Sequence, residues 1–144
     1  MLDSDFGIGA DVWSVTSFTE LRRDGIEVER HNMLHPLSEQ RSAYVTDCLR
    51  NRRGPVIAST DYLRAFADQI RQWVPDHYRV LGTDGFGRSD FRHALRRFFE
   101  VDRHYVVVAA LKELADNGEV EARVVQDAIE RYHLDPEATI PTKT

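Results

Sequence analysis

Asp76 to Phe99 reads DHYRVLGTDGFGRSDFRHALRRFF, and the order it encodes, strand then glycine loop then helix, decides the fold class. Tyr78, Val80 and Leu81 make a short apolar run that stops at Gly82, which fits a buried strand better than a helix. Gly85 and Gly87 let the backbone turn tightly or reach positive φ, and Ser89 stands where an N-cap belongs. The helix expected after it carries Phe91, Ala94, Leu95, Phe98 and Phe99 on one side.

Such a loop can hold an anion, because free amide N–H groups and the positive end of a helix dipole converge on it. The candidate site or interface is therefore Asp84, Gly85, Phe86, Gly87, Arg88 and Ser89. Its spacing is neither the dinucleotide pattern G-x-G-x-x-G nor a P-loop, since no Gly-Lys-Ser/Thr follows. Asp84 and Asp90 oppose an anion, while Arg88 either offsets them or bonds to the loop carboxylates. The alternative is that the glycines only turn the chain above a sheet.

Upstream, Ala10 to Val15 alternates as a strand does. Ser17 is placed to cap a short helix from Phe18 to Arg23 that Gly25 ends, and a second helix is expected from Gly25 to Met33. His31 and His35 stand at i, i+4, but Pro36 disfavours helical geometry at His35 and no nearby ligand completes a metal set. Tyr44 to Leu49 is helical, and Val56 to Ala58 is a second buried strand. Ser59 and Thr60 are candidate caps for a helix carrying Leu63, Phe66, Ile70 and Trp73, which Pro75 stops.

Downstream, Val101 to Asn117 mixes strand-forming and helix-forming residues, and its length favours one buried helix capped by Asp102 and ended by Gly118. A last amphipathic helix runs from Glu119 to Tyr132, with a frayed tail expected from Asp135. Three short strands among amphipathic helices predict an α/β fold with a mainly parallel sheet. Buried strands need cover on both faces and at their edges, so three suggest the later part of a larger α/β domain.

Composition narrows the function. The chain has 144 residues, 42% hydrophobic and 30% charged, which suits one core but not two. A formal charge of −5 and dispersed arginine pairs argue against nucleic acid as a partner. The sequence has no run of the apolar length that a membrane span needs, and the start is not a signal peptide, so the expected location is cytoplasmic. Cys48 is the only cysteine and reads as a packed thiol. No serine sits in a G-x-S-x-G elbow, and no Cys or His cluster has metal spacing. These observations name no catalytic, cofactor-binding or metal residue.

The runs ADVWSVTSFTELRRDG (Ala10 to Gly25), VERHNMLHP (Val28 to Pro36), ASTDYLRAFADQIRQWVP (Ala58 to Pro75), YRVLGTDGFGRSD (Tyr78 to Asp90) and FFEVDRHYVVVAALKELADNGEV (Phe98 to Val120) carry a resemblance. They are similar to the C-terminal domain of the homodimeric pyruvate dehydrogenases, thiamine-diphosphate-dependent first components of the pyruvate dehydrogenase complex. The similarity covers nearly the whole chain from about Phe6, in order and without large gaps. His31 departs from the tryptophan expected after Glu-Arg.

The resemblance implies a three-layer α/β/α domain of transketolase C-terminal type, with residues 1–144 as one partial domain lacking its first strand and helix. Leu2, Phe6 and Ile8 would be the remnant of that helix and its connection. It implies a parent oxidoreductase that decarboxylates pyruvate and acetylates the lipoyl group of the acetyltransferase component, with thiamine diphosphate and magnesium as cofactors. Expected partners are the parent's other domains, a homodimer partner and the dihydrolipoyl acetyltransferase component. The family binds its cofactor through a Gly-Asp-Gly motif and paired asparagines; Gly82-Thr83-Asp84-Gly85 is not that motif, and no Asn-Asn occurs. Assembly and dimerisation are therefore the role implied for these residues. The competing reading is a stand-alone anion- or nucleotide-binding module using the loop Gly82 to Ser89.

Overall fold

Parallel pairing of β1 (Val56–Ser59) with β2 (Tyr78–Leu81) forms the sheet, in the register Val56 to Tyr78 through Ser59 to Leu81. The structure is a computed structural model, and it describes residues 1–143. Alternation along the strands assigns the two faces. Val56, Ala58, Tyr78 and Val80 pack with Ala43, Val45, Ala67, Ile70 and Trp73 from α3 (Tyr44–Leu49), α4 (Arg64–Asp68) and their connections, and with Phe18 and Leu21 from α2 (Phe18–Leu34). Arg79 and Ser59 turn the other way: Arg79 pairs with Glu113 on α6 (Arg103–Asp116), and Ser59 Oγ donates to the Val101 carbonyl at 2.9 Å. Helices thus cover both faces of a parallel sheet, which is the three-layer α/β arrangement.

Among the described residues two strands form where three were expected. Ala10 to Val15 carries the strand pattern but lies in irregular backbone, with Val12 95% exposed. β propensity describes how side chains fit a pleated, half-buried surface, and no neighbouring strand supplies that surface here.

Gly25 does not end a helix. α2 runs through it because the glycine lies beneath the Trp73 indole, where a Cβ would stand 2.3 Å from a ring carbon. The same indole donates from Nε1 to Glu29 at 3.2 Å, so α2 is fixed against the turn that follows α4. His35 closes α2, in keeping with Pro36, and the His31 and His35 rings stack at 4.2 Å and 17° rather than converging on a point. Cys48 on α3 is a half-buried free thiol.

The helix expected from Leu63 to Trp73 is α4 followed by a 3-10 turn at Arg71–Trp73. Ser59 and Thr60 do not cap it. Thr60 Oγ1 accepts only from the Tyr62 amide at 3.1 Å, and the Arg64 amide finds its acceptor on Asp84 instead.

Beyond β2, α5 (Arg92–Phe98) leads to α6, which Asp102 caps as expected by accepting from the amides of His104 (2.8 Å) and Tyr105 (3.0 Å). Gly118 follows with φ 76, and α7 (Ala122–Arg131) returns along α6. Val107, Leu111, Val125 and Ala128 make a second core that Leu2, Phe6 and Ile8 join, the first two from the short helix α1 (Leu2–Phe6). Where a frayed tail was expected, the described residues fold back on the chain and include a 3-10 turn, Pro141–Lys143, with Pro141 buried. Among the described residues, no helix is long and apolar enough to cross a membrane.

Candidate functional site

Thr83 ties the glycine loop to the segment after β1, donating from its amide to Tyr62 O at 2.9 Å and from Oγ1 to Asp61 O at 2.8 Å. Asp84 goes further. Its Oδ1 accepts from the Arg64 amide at 3.0 Å and its Oδ2 lies 3.4 Å from Arg64 Nε, so one carboxylate both caps α4 and pairs with its first residue. Gly82 permits this approach, since a Cβ there would come within 2.6 Å of the Arg64 nitrogen.

Gly85 has φ 115, a conformation that favours glycine, and a Cβ on it would meet the Pro141 carbonyl oxygen at 2.7 Å. Gly87 differs. It does not adopt positive φ, and the space around its missing Cβ is open. Phe86 is 82% exposed, and the Arg88 guanidinium lies over the Phe98 ring at 4.0 Å. Ser89 does not cap α5, which begins three residues later behind Phe91 without a side-chain cap. Asp90 Oδ1 accepts from the amide of the next residue, Phe91, at 2.7 Å.

Asp61, Arg64 and Arg96 complete this frame. Arg96 grips Asp61 with two bonds, Nε to Oδ1 at 3.0 Å and a terminal nitrogen to Oδ2 at 2.7 Å, and Arg92 approaches within 3.7 Å. The hydrogen bond from Arg96 holds the Asp61 carboxyl below the usual carboxylate range. These three residues escaped sequence reasoning because their partners lie 20 and 35 positions away.

Beside β2 an open cleft of about 370 Å³ is lined by Arg64, Asp68, Arg71, Tyr78, Arg79, Val80 and Glu113. Its cations are already matched: Arg64 by Asp84, Arg71 by Asp68 and Arg79 by Glu113. Arg71 also donates to the Tyr78 carbonyl at 2.6 Å, occupying an acceptor on the free side of β2. An incoming anion would have to displace these carboxylates.

The sequence pattern of the Transketolase-like TK C-terminal domain matches residues 1–102. The chain belongs to that family. Within it, the chain is 64% identical over 142 residues to the pyruvate dehydrogenase E1 component of Pseudomonas aeruginosa. It is 56% identical over 141 residues to the protein of that name from Cupriavidus necator, and 56% over 142 residues to that of Escherichia coli K12. Each alignment covers 98% of this chain and 16% of the relative, so the chain spans about a sixth of the length of these curated relatives. The α/β layers and the parallel sheet described above are those of a transketolase-like C-terminal domain.

Among the described residues, no group of three or more His, Cys, Asp or Glu side chains is arranged to hold a metal ion. The Asp84 carboxylate, the only acid within Gly82-Thr83-Asp84-Gly85, is spent on Arg64 and the α4 amide. These residues therefore do not fit a magnesium diphosphate group.

Proposed function

We propose that this chain is the C-terminal domain of a cytoplasmic pyruvate dehydrogenase E1 component, and that its own contribution is assembly: packing on the parent's other domains and forming the homodimer. The parent is an oxidoreductase that decarboxylates pyruvate with thiamine diphosphate and magnesium and acetylates the lipoyl group of the dihydrolipoyl acetyltransferase component. The identity to E1 relatives supports the parent assignment. One observation carries the role: the charged side chains Asp84 and Arg88 of the candidate loop are engaged within the chain, while Phe86, Phe91 and Tyr62 are 82%, 77% and 72% exposed. Aromatic side chains held on a bonded frame suit contact with protein better than binding of a small anion.

The domain boundary belongs to the same proposal. Val56 N donates to His77 O at 2.8 Å and Thr60 N to Leu81 O at 3.0 Å, so the intervening Ile57 and Ser59 direct their backbone groups away from β2. That side of β1 suits a further strand, and Val12, Trp13 and Val15 remain exposed in strand-patterned sequence. A domain extended upstream by one strand and one helix would fill this edge.

Three measurements test the proposal. The purified 144-residue chain should show no pyruvate turnover, and calorimetry should show no heat with thiamine diphosphate, phosphate or nucleotides. Turnover would overturn the assembly role, and saturable phosphate or nucleotide binding would favour the stand-alone module. Sedimentation at several concentrations should show self-association, or lower stability than a form extended upstream. An equally stable monomer would mean that residues 1–144 already close their own core.

A further inference from the structure

The tail after α7 is pinned at both ends. At its root, one terminal nitrogen of Arg97 on α5 donates to the carbonyls of Tyr132 (2.8 Å) and His133 (3.0 Å). His133 has φ 50, which turns the chain off the α7 axis, and the Leu134 amide returns to Ile129 O at 3.0 Å. A turn at Asp135 follows, whose Oδ1 accepts from the Glu137 amide at 2.9 Å. At the far end, buried Pro141 lies against Gly85, with its carbonyl oxygen 2.7 Å from where a Cβ would stand and the Thr142 Cα at 3.5 Å. The segment thus runs from α5 to the loop that precedes α5.

We propose that residues 135–143 are a strap that fixes the conformation of the loop Gly82 to Ser89, and with it the direction in which Phe86 and Arg88 are presented. Gly85 is the seat of the strap: only a residue without a side chain combines its left-handed backbone with so close a neighbour. The bonds from Thr83 and Asp84 hold the first half of the loop. They leave Gly85 to Arg88 dependent on Pro141 and on the stacking of Arg88 over Phe98. This inference is independent of the assembly role.

Trypsin supplies the test, because the Arg88–Ser89 bond lies within the held segment. The 144-residue chain, a form shortened after Leu134, Gly85→Ala, and the shortened form carrying Gly85→Ala are compared by cleavage rate at that bond and by hydrogen exchange of residues 85–88. Shortening should speed cleavage about tenfold, since proteolysis follows the population of the open loop. Gly85→Ala should accelerate cleavage more in the full chain than in the shortened one, because backbone strain acts in both but the collision with Pro141 acts only in the first. Equal effects of Gly85→Ala in both backgrounds, or unchanged cleavage on shortening, would overturn the strap. Should circular dichroism show the shortened form unfolded, a form ending at Ile140, which lacks the Pro141 carbonyl and Thr142, takes its place with the same two outcomes.

Discussion

The two cores of this chain close in different ways. The helical pair α6 and α7 satisfies its backbone within each helix and buries Leu111 completely, with Val107, Val125 and Ala128 around it. The sheet core buries Tyr78, Val80 and Ile70 just as well, yet its two strands have ladder partners on one side only. A helix completes its hydrogen bonds alone, whereas a strand needs neighbours on both sides. The helical core therefore closes its own backbone bonding, and the sheet core has a strand edge that other protein can extend. Glu113, 8% exposed on α6, joins them by pairing with Arg79 on β2.

The strongest test of this contrast is Leu111→Ala, which empties the centre of the helical core. It should cost about 3 to 5 kcal/mol in denaturant unfolding, the upper part of the range for buried leucines. A cost below about 1 kcal/mol would show that the helical pair is loosely packed and the contrast is mistaken.

Next in size is Gly25→Ala on the sheet side. Alanine gains about 1 kcal/mol of helix propensity over glycine, but its methyl would stand 2.3 Å from the Trp73 ring. Overpacking of this kind costs about 1 to 3 kcal/mol, so the expected outcome is a net loss of stability with a shift in tryptophan fluorescence. A gain in stability would mean that the indole moves aside freely.

Asp102→Ala should cost about 1 kcal/mol by removing the cap of α6. Burial works against ionisation of Asp102, but the bonds from Tyr105, His104 and Arg97 together outweigh it and lower its pKa. A lowered folded pKa gives stability that is present above the ordinary carboxylate range and lost as pH falls through the folded value. Asp102→Asn should keep much of the cap yet flatten this acid limb of the stability profile. An unchanged limb would assign it to other carboxylates, with Asp61 and Asp5 the next to examine because their pKa values are also lowered.

The smallest effect belongs to Gly87→Val. Strain there would require positive φ, but Gly85 has that conformation and Gly87 does not, with open space around it. The change should lie within about 0.5 kcal/mol, as at other unconstrained surface sites. A larger loss would mean that the second glycine also shapes the loop.

Much of the fold was legible because its signals are local. Val56–Ser59, Tyr78–Leu81 and the Asp102-capped α6 follow from apolar runs and a cap within three residues of its acceptor amides. The candidate loop was legible as a loop, from Gly82, Gly85 and Gly87, but not as a bonded frame. Ser89 looked like the cap of α5, and Thr60 like that of α4. The chain instead leaves α5 without a side-chain cap and uses Asp84, 20 residues distant, for α4.

By itself the sequence determined the α/β class, the family resemblance, and the helices and strands whose caps and periodicity lie within a few residues of one another. Tertiary structure alone decided four things: that α2 passes through Gly25 under Trp73, that Ala10 to Val15 forms no strand, that Asp84 belongs to α4, and that the tail closes on Gly85. Helical hydrogen bonds and local caps join residues close in the chain, so a short window records them. Strand partners, close approaches over a glycine and distant caps depend on which surfaces meet after folding, and no short window contains both sides of such a contact.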